Sequence, residues 1–228
     1  MAGSLRDGRL VIGNRRYSSW SLRGWLAVKL AGLDVEVQLI QFTRPGPTAA
    51  IAAISPNGLA PYLEHNGAKV WESLAICEYC AEATPALWPS ERVARAHARS
   101  IAAEMHAGFT GLRQSMWMNL GADFAARAAG KGRTPEALAA ITAIEKLWAE
   151  TREKFCAGGP YLFGATFGAA DVMFAPVVTR LLTWQPEISS ATRTYCDAVR
   201  AHPLMDEWYR AAAAEPPSWL LDSYEVIQ

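Results

Sequence analysis

The stretch PYLEHNGAKVWESLAICEYC, residues 61–80, decides the fold. Asn66-Gly67 is the strongest two-residue hairpin signal, because a type I′ turn needs two residues that tolerate positive φ. It joins two short strands, PYLEH and AKVW, and the segment ESLAICEYCAEA that follows has helical periodicity. Upstream, LVIG (10–13) is a short apolar run bounded by glycine and basic residues, the pattern of a buried strand. SWSLRGWLAVKLAG then spaces its apolar residues as a helix does and stops on Gly32. DVEVQLIQF (34–42) alternates at Val35, Val37 and Leu39 and reads as a strand. RPGP (44–47) marks a loop, TAAIAAI a weak helix and SPNGLAP a turn. The order is β-α-β-α-β-β-α. A β-α-β start calls for parallel strands with a right-handed crossover, and the hairpin adds antiparallel ones. A small mixed sheet covered by helices is predicted.

Beyond TPALWPS (84–90) the texture changes to Ala-rich amphipathic segments. Ser90 is the predicted N-cap of a helix over 91–129, followed by helices over 135–156, about 170–184, 190–201 and 203–214. The Pro-containing connector places the boundary between a first unit, 1–84, and an all-helical second unit, 90–228.

Lysine plus arginine and aspartate plus glutamate balance at 22 each, and no block of like charge argues for nucleic acid or an anionic membrane. Apolar runs are interrupted by charge well short of a membrane span, and the first residues lack the apolar core of a signal peptide. A soluble, cytoplasmic protein is expected. Cys77 and Cys80 form a C-x-x-C, but inside a helix rather than after a strand. They read as two core residues one turn apart, and no second pair or histidine cluster completes a metal site.

Three segments, SSWSLR (18–23), NGLAPYL (57–63) and ESLAICEYC (72–80), occur in the order that resembles the soluble glutathione transferase family, its serine-type zeta and theta classes most of all. The resemblance implies an α/β plus all-α protein: a thioredoxin-like βαβαββα domain followed by an all-helical domain. It also implies glutathione as co-substrate, a small hydrophobic or unsaturated electrophile as its partner, detoxification chemistry and a homodimer.

The chemistry these segments would perform rests on the thiol. A free thiol titrates near about 8.5, and only the thiolate attacks electrophiles well. A hydroxyl aimed at sulfur, beside the N–H groups of a helix N-terminus, stabilises that anion. Ser18 is best placed to do so at the sheet's C-terminal edge; Ser19 is the alternative, through its hydroxyl or its amide, and Ser21 caps or packs. Trp20 lies between them. Pro61 at a strand start reads, on the residues alone, as an edge-strand proline that ends pairing; the family resemblance implies instead a cis Ala60-Pro61 bond, so that Ala60 pairs its backbone with the cysteinyl part of glutathione. Glu72 and Ser73, where AKVW meets the next helix, suit the ammonium and carboxylate of the γ-glutamyl end, or are an ordinary acidic helix cap. Asp171, with Gly168 three residues before it, resembles the family's buried capping box.

For the electrophile, EMHAGFTGLRQSMWMN offers His106, Phe109, Arg113 and Trp117, with Tyr17 and Trp20 as further aromatic surface. His106 and Arg113 lie seven apart, on one face of a continuous helix, where a cation meets an anionic substrate. Their alternative is a satisfied histidine and a solvated arginine. The zeta resemblance suggests cis–trans isomerisation of a maleylacetoacetate-like diacid. Trp20 stands at the zeta cysteine, however, and Thr183 at an expected arginine, with Arg180 one turn earlier, so that activity is not assigned. A second reading keeps the fold as a ligand-binding or protein-interaction module without turnover. A cysteine-dependent reductase is a third, which the lack of a cysteine at the first helix start disfavours.

Overall fold

The computed structural model describes residues 7–43, 48–127 and 131–226; the RPGP loop at 44–47 and residues 128–129 of the first long predicted helix lie outside them. Four strands, β1 (Gly8–Ile12), β2 (Glu36–Leu39), β3 (Tyr62–His65) and β4 (Ala68–Trp71), form one sheet in the order β2-β1-β3-β4. β1 runs parallel to β2 and antiparallel to β3, and β3 antiparallel to β4. Asn66 and Gly67 have φ of 48° and 82°, the two positive values the tight turn requires. Leu10 and Leu63 pair across β1 and β3 and point with Ile12 into a core shared with α1 (Ser19–Ala31) and α3 (Ser73–Ala83). A short α2 (Ala49–Ala52) is capped by Thr48. The mixed sheet is as predicted, though β2 is shorter than 34–42.

Burial explains the C-x-x-C. Cys77 and Cys80 are wholly enclosed on the inner face of α3, and the loss of solvent pushes the Cys80 thiol up to about 12. Both are core residues. Gly24 has a packing reason instead: a Cβ there would lie 2.8 Å from the Pro61 ring. Its absence lets α1 press against the start of β3.

Everything after Ala83 is helix or loop among the described residues, apart from an isolated bridge between Tyr161 and Gly164. The single helix predicted over 91–129 is not formed. α4 (Arg92–Ala107) ends where Gly108 is extended and Phe109 turns left-handed at φ 55°. α5 (Thr110–Ser115) then sets off in a new direction, and α6 (Phe124–Arg127) follows a loop. The break lets Gly111 press on α7 (Pro135–Phe155), where a Cβ would come within 2.7 Å of Glu136. Ser90 is not the cap of α4. Glu91 is: its carboxylate accepts from the N–H groups of Val93 (2.9 Å) and Ala94 (2.7 Å), which holds it below the usual carboxylate range.

α8 (Ala169–Trp184) is buried along nearly its whole length; α9 (Ser190–Arg200) packs against it, and α10 (Pro203–Ala213) against α9 and α1. Asp171 caps α8 from within. Its carboxylate accepts from the N–H groups of Leu162 (3.1 Å) and Gly168 (3.0 Å) and from the Tyr195 hydroxyl (2.9 Å). Two buried arginines clasp α1 to α8 in opposite senses. Arg23 of α1 donates to the Met173 carbonyl (2.9 Å), and Arg180 of α8 donates to the Ser19 hydroxyl (3.2 Å). After α10 come a 3-10 turn at Pro217–Trp219 and α11 (Asp222–Glu225), neither of which the sequence signalled.

Candidate active site

A cleft of about 730 Å³ opens between the sheet and the helical half. Of the residues singled out in the sequence, Tyr17, Ser18, Ser19, Trp20, Ala60, Pro61, Glu72, Ser73, Arg113 and Trp117 line it. His106 and Phe109 do not. Phe109 forms the left-handed corner before α5, so His106 and Arg113 share no helix face; Arg113 instead donates to the His106 carbonyl at 3.2 Å.

The three serines differ in what they already hold. Ser18 caps α1: its hydroxyl accepts the Ser21 N–H (3.3 Å) and donates to the Ser21 hydroxyl (2.7 Å). The Ser21 oxygen also accepts the Gly13 N–H (3.0 Å), which ties the helix mouth to the end of β1. Ser19 accepts from Arg180, and no acceptor takes its own proton among the described residues.

The Ala60-Pro61 peptide is cis. Across the cleft, Ser73 opens α3 fully buried, and its hydroxyl has no partner among the described residues. A buried hydroxyl without a partner costs stability. Glu72 holds the positive-φ position before the helix (φ 68°) and leaves the cap empty. Its carboxylate accepts from the Asn57 amide (3.1 Å) and lies 3.4 Å from His106 Nε2. Burial, against the pull of Glu72, keeps the His106 pKa below its ordinary value.

Trp20 stands between two guanidiniums, Arg23 at 4.7 Å and Arg113 at 5.4 Å from its ring. Burial pushes Arg23 down to about 9 and Arg180 down to about 10, and each is lowered further by neighbouring arginines. None of Arg23, Arg113 and Arg180 has an ion-pair partner among the described residues. The far wall is the C-terminal segment. The Tyr224 ring stacks on Tyr17 (5.0 Å), and its carbonyl accepts from Trp117 (2.9 Å) and Asn119 (3.1 Å). Tyr17 donates to Glu225 (2.7 Å) and accepts the Leu221 N–H (3.1 Å), so it serves as a latch as well as aromatic surface.

Sequence reasoning passed over Asn57, Phe42, Tyr224 and, as a lining residue, Arg180. Arg180 had a readable signal, a lone cation inside the apolar run VMFAPVVTRLLTW. Tyr224 had none, because its partners are more than 100 residues away. Among the described residues no group of three or more His, Cys, Asp or Glu comes together as a metal site, and no helix is long and apolar enough to cross a membrane.

A mixed sheet with a cis-proline ahead of β3, hydroxyls at the mouth of α1 and a helical half closing the cleft define a thioredoxin-like protein of the glutathione-handling kind. The chain belongs to the glutathione S-transferase family: residues 17–83 match the model of its N-terminal domain and residues 124–211 that of its C-terminal domain. It is 28% identical over 195 residues to a maleylacetoacetate isomerase of Rattus norvegicus, covering 81% of this chain and 84% of the relative. A probable maleylacetoacetate isomerase of Caenorhabditis elegans is 26% identical over 200 residues, 83% of this chain and 90% of the relative. Among solved structures, a glutathione transferase homolog from Burkholderia with bound glutathione superposes with a TM-score of 0.68 at 21% identity, over 91% of this chain and 99% of that one. The maleylacetoacetate isomerase of Anaeromyxobacter dehalogenans gives 0.65 at 19% identity, over 96% and 98%.

Proposed function

We propose that this chain activates the glutathione thiol with the Ser19 hydroxyl and adds the sulfur to a small unsaturated electrophile bearing a carboxylate. One observation carries the reading: Ser19 faces the cleft held by Arg180 with its own proton unspent, whereas the Ser18 proton is engaged by Ser21 at 2.7 Å. The expected first choice, Ser18, is better suited to holding the helix mouth.

The remaining groups take parts that follow from their chemistry. Ala60 offers its backbone to the cysteinyl peptide, like one more rung on β3. Ser73, without a partner at the start of α3, receives the γ-glutamyl carboxylate, and Glu72 its ammonium. Arg113, half-buried and without a carboxylate, draws the anionic end of the electrophile beside Trp20 and Trp117. The names of the isomerase relatives fit such a substrate.

The thiol proton leaves to solvent, and the thiolate is held by the Ser19 O–H. Sulfur then attacks the β-carbon of an alkene conjugated to a carbonyl. The C–S bond forms as the π pair moves onto the carbonyl oxygen. Protonation at the α-carbon yields a conjugate. Rotation about the former double bond, followed by return of the electron pair and loss of the thiolate, yields the trans isomer instead. The resemblance adds a homodimer, which sedimentation of the purified protein checks, and a cytoplasmic location, which cell fractionation checks.

Turnover of Ser18→Ala and Ser19→Ala with a chromogenic aryl halide tests the assignment. Ser19→Ala loses roughly 100-fold in kcat/KM, the scale of one donor removed from a developing anion. Ser18→Ala loses about 1 kcal/mol of stability as a missing cap, with kcat/KM within a few-fold. The reverse pattern assigns the sulfur to Ser18, and no effect from either removes serine from the mechanism.

A further inference from the structure

We infer that Arg180 is a positioning residue for thiol activation, orienting and polarising the Ser19 hydroxyl from the helical half; this rests on the reading of Ser19 above. The geometry is directional. Arg180 Nη2 donates to Ser19 Oγ at 3.2 Å, so the oxygen has one lone pair engaged and its hydrogen is left for a partner in the cleft. A charge-assisted bond into the oxygen makes the O–H a stronger donor. Nη1 of the same guanidinium donates to the Pro176 carbonyl at 2.9 Å, one turn back on α8, which fixes the plane of the fork.

Glue between α1 and α8 is a poor account of this residue. Arg180 is only 4% exposed, its Nε is buried without a partner, and no carboxylate pairs with it among the described residues. An unpaired buried cation weakens a fold, and an apolar side chain would join the helices at lower cost. Arg23 already bridges the same two helices through Met173. The charged and titratable groups around Arg180 are Arg23 from α1, Arg113 from α5 and Tyr224 from α11. The two arginines repel it, which adds to the cost of keeping a cation there.

The thiolate absorbance of bound glutathione, titrated against pH without any electrophile, reads the effect directly. Arg180→Met is expected to raise the thiol midpoint by about one unit, because the Ser19 O–H loses its charge-assisted partner and becomes an ordinary neutral donor, leaving about tenfold less thiolate below the midpoint. Glutathione affinity, followed by tryptophan fluorescence, stays within a few-fold, which also reports that the variant is folded. Arg180→Lys keeps the charge without the planar fork and recovers only part of the shift. In Ser19→Ala the further change Arg180→Met adds little, because the route through the hydroxyl is already gone. An unchanged titration in Arg180→Met, with KM for an anionic electrophile raised, overturns the inference and makes Arg180 an electrophile anchor. Fully additive shifts overturn it too, since Arg180 then acts on sulfur without Ser19. If Ser19→Ala itself leaves the titration unchanged, the donor assignment has failed, whatever Arg180 does.

Discussion

Replacing Asp171 by alanine removes one acceptor group from three buried donors at once. Leu162 N–H, Gly168 N–H and the Tyr195 hydroxyl all end on this carboxylate, within 2.9 to 3.1 Å. Each donor left buried without a partner costs about 1–3 kcal/mol. Against that loss stands the carboxylate's own burial, which raises its pKa from 3.8 to about 6 despite the three bonds that pull it down. That rise is worth about 3 kcal/mol of penalty on the charged form, at about 1.4 kcal/mol per unit. Three donors at that cost, less the offset, leave a destabilisation centred near about 3 kcal/mol, or on the order of 10 °C in Tm for a chain of this size. Thermal unfolding followed by circular dichroism measures it. The sign of the pH dependence follows from the raised native pKa. The native chain holds a proton between about pH 4 and 6 that the unfolded chain has released, so this group's contribution is greatest below pH 4 and falls as pH rises through 6. Relative to Asp171→Asn, which does not titrate, the protein should lose roughly 1 kcal/mol between pH 5 and 7. An Asp171→Ala protein as stable as the parent, or more so, refutes the capping argument, and a difference that grows in the opposite direction refutes the burial argument.

Two further substitutions separate binding from stability. Ser73→Ala deletes a buried hydroxyl that has no partner, so Tm should hold or rise slightly, while the Kd for glutathione, read by tryptophan fluorescence, weakens about tenfold through loss of a charge-assisted bond; unchanged affinity would remove Ser73 from the peptide site. Tyr17→Phe breaks the latch to Glu225 and Leu221, so amides in 221–226 should exchange about tenfold faster with deuterated solvent, and equal rates would show that Trp117 and Asn119 hold the segment alone.

The mixed sheet was legible because its signals are local: the Asn66-Gly67 turn, the glycine stop at Gly32 and the alternation of β2. The α4–α5 break was not. Its cause is a left-handed phenylalanine, which no propensity favours, imposed so that Gly111 can press on α7. At the site, the serines, Ala60-Pro61, Glu72 and Ser73 were readable because each sits at an element end where chemistry is concentrated. The division of labour among the serines was not readable, since it depends on Arg180, 161 residues from Ser19. Trp20, a departure from the zeta pattern, carries both the Arg23 and the Arg113 guanidinium against its ring.

The clasp between α1 and α8 makes the two halves of this chain poor exchange partners. Arg23 reaches across to Met173 while Arg180 reaches back to Ser19, so each helix carries the residue that the other needs. A chimera that grafts another helical half onto this sheet keeps the clasp only where that half brings an arginine at 180, and otherwise sets the serine differently. New electrophile preferences are therefore more easily reached by changing positions in α5 and the C-terminal segment other than Arg113 and Tyr224, which lie beside Arg180, than by shuffling whole halves.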